Sequence, residues 1–234
     1  IDFNYSDSLN GFGISNAQNT FIAKFSPNGN LIWDRRYESG TYLPEYDYDY
    51  TNFIINDIAF NDDNSMILCG STAGQIDTYL NTDFNQNVIN NRNTVFYQKL
   101  NSNGDIEYLK FIKGSSYTLF SSNIQAVSIN QQGEFTLAGN FSDSLWINPD
   151  DPNYFIDLDS LSVQSTYGFF AHYTADGVFL WSQSIIGGSA LYNHDMVIDA
   201  YGNHYIAGEF AQPPNYLDTR PAIDFDPGPG QYLV

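Results

Sequence analysis

The stretch DMVIDAYGNHYIAGEF, Asp195–Phe210, decides the fold. It predicts a β-hairpin, in which a short apolar strand and a second strand closing on Gly208 flank a polar turn at Ala200–Asn203. Two earlier stretches match it without a gap: NDIAFNDDNSMILCG, ending at Gly70, and QAVSINQQGEFTLAG, ending at Gly139. The intervals from Gly70 to Gly139 and from Gly139 to Gly208 are both 69 residues. Recurrence at a fixed interval is typical of a repeat architecture.

A second type of hairpin alternates with the first. TFIAKFSPNGNLIWDRRY has alternating apolar residues on both sides of a turn at Pro27–Gly29, and Asn-Gly is a strong hairpin signal because both residues tolerate positive φ. The pattern recurs in VFYQKLNSNGDIEYLKF and GFFAHYTADGVFLWSQS, which turn at Gly104 and Gly177. A large aromatic residue follows each turn at the same distance and is expected to pack between neighbouring sheets: Trp33, Tyr108 and Trp181.

One hairpin of each type makes a four-stranded antiparallel unit of roughly 70–75 residues. Such units repeated about an axis form a β-propeller, typically of 4–8 blades. The sequence therefore predicts an all-β fold, with residues 1–234 as a single β-propeller region. Residues 1–53 end a preceding blade, 54–122 and 123–193 are blades, and 194–234 hold the first hairpin of a further blade. About three blade-equivalents do not close a ring, so we expect a fragment of a larger propeller within a larger multidomain chain or complex.

Composition excludes several classes of partner. Eight Lys and Arg against 27 Asp and Glu give a formal net charge of −19, which argues against nucleic acid, since phosphate binding needs clustered cations. No apolar run approaches the ~18 residues of a transmembrane helix, and no direct membrane insertion is expected. The single cysteine, Cys69, aligns with Ala138 and Ala207, so we expect it to pack in a core.

The connections between the hairpins differ in length, and variable loops on a rigid scaffold are where binding residues usually lie. The longest connection that follows an Asn-Gly hairpin contains YLPEYDYDY, in which tyrosines alternate with carboxylates. Tyrosine is favoured at interfaces, and the carboxylates could bond sugar hydroxyls, so this long-loop face predicts a protein or glycan partner. The alternative is a loop that packs its own tyrosines on the blade edge. The candidate binding residues are Tyr42, Tyr46, Asp47, Tyr48, Asp49 and Tyr50.

Two further connections carry closely spaced carboxylates: Asp150 and Asp151 in NPDDPN, and Asp224 and Asp226 in IDFDPG. Ca²⁺ takes 6–8 oxygen ligands and is often bound at sharp turns, so these four residues are candidate calcium ligands. They lack the ligand density of an EF-hand loop. Turn formation by Asp, Asn, Pro and Gly explains the same residues, and no other cofactor is expected.

Catalytic patterns are weak. His172 and His204 align with ordinary strand residues of the other copies, and His194 opens a strand. There is no zinc-binding spacing and no Gly-x-Ser-x-Gly nucleophile elbow. Glycoside hydrolysis needs two carboxylates at a particular separation in space. The sequence has 27 acidic residues and does not show which of them lie close together, so it leaves such a pair open. We expect a protein that is not an enzyme.

The repeat pattern resembles the bacterial β-propeller proteins called SBBP-repeat proteins. The resemblance covers nearly the whole chain and lies in FIAKFSPNGNLIW, GFFAHYTADGVFLWSQSIIGG and DMVIDAYGNHYIAGEF, while IDFDPGPG is similar to a feature of Bacteroidetes members. Tyr108 departs from the expected Trp, and Asn64 replaces a turn glycine. The resemblance implies a propeller that is secreted or displayed on the cell surface, in association with the outer membrane.

These observations together predict a non-catalytic propeller module of an extracellular or cell-surface protein, which mediates adhesion by binding a protein or glycan through its long-loop face. The alternative is a structural spacer or assembly subunit of a surface or secretion complex. A polysaccharide-active enzyme is the third hypothesis, and it requires two carboxylates facing each other across a depression.

Overall fold

The computed structural model describes residues 20–39, 52–73, 76–78, 94–114, 122–142, 144–156, 166–188, 190–211, 222–226, 230 and 232–233. This part of the chain is all-β, with fourteen strands and no helix. The strands are β1 (Thr20–Phe25), β2 (Leu31–Ser39), β3 (Asn52–Phe60), β4 (Met66–Ala73), β5 (Ile76–Thr78), β6 (Thr94–Leu100), β7 (Ile106–Gly114), β8 (Asn123–Ile129), β9 (Phe135–Phe141), β10 (Leu145–Trp146), β11 (Tyr167–Tyr173), β12 (Phe179–Ile185), β13 (Ala190–Ile198) and β14 (His204–Ala211).

The strands form four antiparallel sheets with one recurring order. The first sheet is β1-β2-β5, the second β10-β7-β6-β4-β3, the third β12-β11-β9-β8 and the fourth β13-β14. Each of the two larger sheets joins one hairpin of each predicted type, and the register agrees between them, because Gly70 lies opposite Phe96 and Gly139 opposite Phe169. The predicted all-β, antiparallel architecture is therefore confirmed.

Six tight hairpin turns in the part of the chain that the structure describes share one geometry. In each, the first residue exchanges backbone hydrogen bonds with the fourth and fifth residues, as between Asn101 and Gly104 and Asp105. The fourth residue has positive φ, which is 79° at Gly104 and 63° at Asn64, so Asn64 does replace a glycine without changing the turn. Because only the glycine and not the preceding Asn has positive φ, the turns are of the three-residue type with a bulge rather than the two-residue type that Asn-Gly suggests.

The three glycines that end the repeated hairpin are required by the close approach of a neighbouring strand. Each faces a β-bulge, after Ile55, Ile124 and Asn193 respectively. A Cβ would lie 1.8 Å from the Ile54 carbonyl oxygen at Gly70, 2.0 Å from that of Asn123 at Gly139, and 2.2 Å from that of Tyr192 at Gly208. The 69-residue interval in the sequence thus marks equivalent bulges.

Each long connection after β4, β9 and β14 returns to the sheet before it. β5 pairs with β2, β10 pairs with β7, and Asp224 forms a bridge with Ile186 just beyond β12. Leu145 and Ile223, which begin the similar stretches LWIN and IDFD, are fully buried at these junctions. The connections cover the outer edges of the sheets, which would otherwise present unpaired backbone groups.

Neighbouring sheets pack through separate hydrophobic clusters. Tyr37, Phe53, Phe96 and Leu100 join the first sheet to the second, with Tyr37 and Phe96 stacked on either side of Phe53. A larger cluster, including buried Cys69, joins the second sheet to the third. The first strands of successive sheets, β3, β8 and β13, lie in contact in that order.

A second contact recurs at the hairpin turns. The Lys24 ammonium and the Trp33 indole N–H both donate to the Ser102 carbonyl in the next sheet, at 3.3 and 3.4 Å. Lys99 and the Tyr108 hydroxyl make the same contact with the Ala175 carbonyl, both at 3.4 Å. The expectation that Trp33 and Tyr108 pack between sheets is confirmed.

Candidate functional site

The sequence-predicted binding residues of the long loop, Tyr42, Tyr46, Asp47, Tyr48, Asp49 and Tyr50, lie outside the described residues. Their role stays a prediction. The connection that contains them, 40–51, is longer than the equivalent connections 115–122 and 186–189, as the sequence predicts.

The acidic residues of the 148–153 loop make local contacts. The Lys110 ammonium, on β7 of the second sheet, donates a hydrogen bond to the Asp150 carboxylate at 2.6 Å and forms an ion pair with it. Asp151 accepts from the Asn153 backbone N–H at 2.9 Å and from its side-chain amide at 3.2 Å. These contacts hold the loop in consecutive turns against the second sheet.

Asp224 also organises its own loop, since its Oδ1 accepts from the backbone N–H groups of Asp226 and Tyr232, at 3.0 and 2.8 Å. Within the described ranges no three His, Cys, Asp or Glu side chains converge closely enough to hold a metal ion. Calcium binding by Asp150, Asp151, Asp224 and Asp226 remains a prediction, and thermal unfolding with and without EDTA tests it.

A polar concavity lies at the edge of the sheets that holds the six hairpin turns of the described residues, which we call the tight-turn edge. This polar groove, of about 380 Å³, lies between the β3–β4 turn and the β8–β9 turn. Asn61, Asp62, Asp63, Asn130, Gln131 and Gln132 line its two sides, and Lys99 and Ala175 contribute to the lining. Phe60, at the end of β3, also lines it and is 63% exposed.

Hydrogen bonds make the walls of the polar groove rigid. The Asn61 side-chain amide donates to the Ser65 hydroxyl at 2.9 Å, and the Asn130 Oδ1 accepts from the backbone N–H groups of Gln132 and Glu134 at 2.9 and 3.0 Å. Hydrogen bonds from Ser65 lower the pKa of Asp63 and so favour its charged form. Lys99 is 3.0 Å from the Glu107 carboxylate. The groove therefore offers carboxylates, amides and an aromatic ring on a fixed frame.

Two of the three histidines, His172 and His204, make contacts that join the sheets. The Thr136 hydroxyl lies 2.7 Å from His172 Nδ1 and 2.8 Å from His204 Nε2, so it bridges the third sheet to the fourth. The His172 ring stacks on Trp181 with ring centroids 5.2 Å apart. Burial and the neighbouring His172 lower the pKa of His204.

Cys69 is fully buried, and burial raises the pKa of its thiol, so the expected packing role is confirmed. Such a thiol is a poor nucleophile because the reactive thiolate is disfavoured.

The sequence analysis missed the polar groove because it placed the binding residues in the long connections of variable length and not in the tight turns. A signal was present, since Asn61–Asp63 and Asn130–Gln132 are polar at equivalent places of the repeat. That these two turns face each other across a gap depends on how adjacent sheets pack.

The fold and these contacts define an all-β protein of repeated antiparallel sheets. No protein-family model matches the chain, and no curated protein matches it. Across the described ranges there is no helix with the length and apolar character needed to cross a membrane.

Proposed function

We propose that the chain is a non-catalytic binding module with a β-propeller scaffold, part of a secreted or surface-displayed bacterial protein, and that it binds a neutral glycan in the polar groove. The observation that carries this proposal is an exposed aromatic ring, Phe60, set beside carboxylates and amides between two rigid turns.

The contacts between the first strands of successive sheets support the propeller scaffold. β3, β8 and β13 contact one another in order, and hydrogen bonds tie them together: the Val127 N–H donates to the Asp57 carboxylate and the Ile198 N–H to the Ser128 hydroxyl, both at 2.9 Å. A propeller has this arrangement, because its equivalent sheets pack side by side around a common axis, each through the same strand. The residue pattern shared with SBBP-repeat proteins supports the same scaffold and the extracellular location.

The chemistry of the groove supports a neutral polyhydroxylated ligand. A sugar ring has an apolar face that packs on an aromatic ring, as an amphipathic ligand does on Tyr or Trp, and hydroxyls that bond carboxylates and amides. The charged Asp63 and the net charge of −19 disfavour anionic ligands.

Native gels cast with mannan, xylan, laminarin or galactan test the proposal. We expect at least one polysaccharide to retard the chain, and Phe60→Ala and Asp62→Asn to abolish the retardation. Tyr201→Ala is the matched control, because Tyr201 is a 93% exposed aromatic residue at the equivalent edge of the fourth sheet but does not line the groove.

Unchanged mobility of the wild-type chain in all four gels would exclude these glycans as ligands. Retardation that survives Phe60→Ala but is lost on deletion of Tyr42–Tyr50 would move the binding site to the long-loop face.

An assembly role is the second candidate function. It is favoured by apolar residues that are 45–58% exposed on the first and fourth sheets: Phe25, Ile32, Val197, Tyr205 and Phe210.

A further inference from the structure

Two of the tight hairpin turns in the described residues contain the same dipeptide, Asn-Gly. Asn28 and Gly29 lie between β1 and β2, in what we call the first-sheet turn, and Asn103 and Gly104 lie between β6 and β7, in the second-sheet turn. In both turns the glycine N–H donates to the carbonyl three residues before it at 2.9 Å, and the two glycines have φ of 81° and 79°. A difference in reactivity between these turns therefore arises from what surrounds them.

An Asn-Gly pair favours spontaneous deamidation, because glycine has no side chain that hinders the approach of its backbone nitrogen. The deprotonated nitrogen attacks Cγ of the asparagine and forms a C–N bond, the Cγ–Nδ2 bond breaks, and ammonia leaves with a proton from water. Water then opens the resulting succinimide at either carbonyl carbon, which gives aspartate or isoaspartate without any oxidation or reduction. The peptide plane between the two residues must rotate to bring the nitrogen close to Cγ, so a turn that is held in place reacts slowly.

The second-sheet turn is held in place by two side chains of the first sheet. The Arg35 guanidinium donates to the Gly104 carbonyl at 2.6 Å and to the Asn103 carbonyl at 2.9 Å, and it forms an ion pair with Asp105 at 3.1 Å. The Trp33 ring lies 2.9 Å from the Cβ position of Gly104, which is buried. Charge-assisted hydrogen bonds therefore fix the peptide planes on both sides of this glycine.

The first-sheet turn has no such restraint among the described residues. Asn28 and Gly29 are exposed, the Asn28 side chain forms no hydrogen bond with a described residue, and no described atom beyond the chain neighbours lies within 4 Å of the Gly29 Cβ position. The Ser26 hydroxyl accepts one backbone hydrogen bond, from Asn30 at 3.0 Å. The equivalent Asn101 Oδ1 accepts two in the second-sheet turn, both at 2.9 Å. The first-sheet turn is therefore the freer of the two to rotate its peptide planes.

The third-sheet turn, between β11 and β12, is covered in the same way as the second. It contains Asp176 and Gly177, and an Asp-Gly pair reaches the same succinimide by loss of water. The Tyr97 hydroxyl donates to the Gly177 carbonyl at 2.9 Å, and the Tyr108 ring lies 2.9 Å from the Gly177 Cβ position. Of these three turns, only the first is uncovered by described residues.

We propose that Asn28 is a site of spontaneous deamidation in the folded chain, and that Arg35 and Trp33 protect Asn103 from the same reaction. The product carries an additional negative charge at an exposed turn. Isoaspartate also adds a methylene to the backbone, so the hydrogen bond from Gly29 to Ser26 is lost where it forms. This inference does not depend on the proposed glycan binding.

The sequence allows each site to be followed separately by peptide mapping. Trypsin cleaves after Lys24, Arg35, Lys99 and Lys110, so residues 25–35 and 100–110 form two peptides with one Asn-Gly pair each. A third pair, at residues 10–11, lies outside the described residues and falls in a different peptide. Mass spectrometry detects the exchange of the amide NH₂ for OH, and an isoaspartyl methyltransferase with labelled S-adenosylmethionine detects isoaspartate.

The folded chain is incubated in mildly alkaline buffer, and a sample digested before incubation gives the background of the digest. We expect modification of Asn28 to be at least about tenfold faster than that of Asn103, because reaction at 103 first requires a local opening that breaks the hydrogen bonds from Arg35. Equal rates, faster reaction at Asn103, or an unmodified Asn28 would overturn the proposal.

Incubation in concentrated urea separates the effect of structure from that of sequence. Unfolding removes the surroundings of both turns, so the two peptides should be modified at comparable rates. A preference for Asn28 that persists undiminished in urea would assign the difference to neighbouring residues in the sequence, and would overturn the protective role of the first sheet.

Variants with the far-UV circular dichroism of the wild type test the protection directly. Arg35→Met keeps an unbranched apolar side chain but removes the donors, so it should raise the modification of Asn103 several-fold and leave that of Asn28 unchanged. Arg36→Met is the matched control, because the Arg36 guanidinium bonds Asp34 at 2.7 Å and not the second-sheet turn. No increase at Asn103 in either Arg35→Met or Trp33→Ala would overturn the protective role.

Asn28→Gln identifies the reacting residue, since Asn30 lies in the same tryptic peptide. The additional methylene of glutamine disfavours ring closure, so this variant should form no isoaspartate in residues 25–35. Isoaspartate that persists there would place the reaction at Asn30 and overturn the assignment to Asn28.

Discussion

Gly104 lies directly beneath the indole ring of Trp33, in the neighbouring sheet. A Cβ at residue 104 would be 2.9 Å from the ring, and the glycine is buried by it. The same relation holds between Gly177 and Tyr108, whose ring would lie 2.9 Å from a Cβ at 177. The turn already requires glycine for its positive φ. The same glycine also leaves room for the aromatic ring of the preceding sheet to pack against the turn.

Gly104→Ala should destabilise the fold more than Gly133→Ala does. Both glycines have a φ of 79°, so both variants carry the same backbone strain of about 1 kcal/mol. Only residue 104 meets a ring at 2.9 Å, whereas the nearest atoms at 133 are 3.4 Å away. Overpacking adds roughly 1–3 kcal/mol, which urea unfolding of the two variants would measure. Equal unfolding midpoints would contradict the stacking contact.

Gly139→Ala should be among the most damaging single substitutions in the chain. Its Cβ would lie 2.0 Å from the Asn123 carbonyl oxygen, and backbone at a β-bulge cannot move aside, so we expect a loss of about 3 kcal/mol or more. Gly168→Ala is the comparison, because its nearest atom, at 2.4 Å, is the end of the buried Leu191 side chain, which yields more readily than backbone. Thermal midpoints in the reverse order would refute this reading of the glycine repeat.

Asn193→Ile should weaken the junction between the third and fourth sheets. The Asn193 amide is buried and donates to the Gly139 and Phe169 carbonyls at 3.0 and 3.2 Å. Isoleucine is the residue at the equivalent position 124, but here it would leave both carbonyls without this donor, at a cost of roughly 1–3 kcal/mol. Tyr192→Ala, at a 42% exposed neighbour, is the control. Hydrogen exchange of the β13 amides should increase in the first variant only.

Stability should fall as the pH drops below about 6.5, because of His204. Burial and the neighbouring His172 lower its pKa in the folded chain, while Asp199 opposes the shift. Between the folded value and the unfolded value of about 6.5, the unfolded chain binds more protons, so unfolding is favoured as the pH falls through this window.

His204→Phe provides the measurement, because Phe135 occupies the equivalent place in the third sheet. The variant should show a smaller loss of thermal midpoint than the wild type between neutral pH and pH ~5.5, a range that lies above the titration of most carboxylates. Identical pH profiles for the two chains would exclude His204 as the source.

The hairpins were predictable because each depends on residues that are close in the chain. Gly29, Gly104 and Gly177 mark turns that form as expected, although the turn is of the bulged three-residue type. The aromatic residues Trp33 and Tyr108 were rightly assigned to the space between sheets. The stretches LWIN and IDFD are similar in sequence, but the sequence does not indicate that they return to the preceding sheet, since the partner residues Gly114 and Ile186 lie about 30 or more residues away.

The candidate site was less predictable. The carboxylates of Asp150 and Asp224 are held in local turns and in an ion pair with Lys110, and no pattern in the sequence indicates that pairing. The polar groove depends on two turns that are 69 residues apart, and the bridge from Thr136 to His172 and His204 depends on three strands.

Local preferences in the sequence alone determined the repeat, the hairpin strands and the turns, while the close approach of a paired strand is what requires glycine at residues 70, 139 and 208. The alternation of apolar and polar residues and the choice of turn residues act over a few residues, so they can be recognised without knowledge of the packing. Only the tertiary structure decided which side chains meet across the sheets and where the polar groove opens. Those features depend on the distance between segments that are remote in the chain, and no local preference encodes that distance.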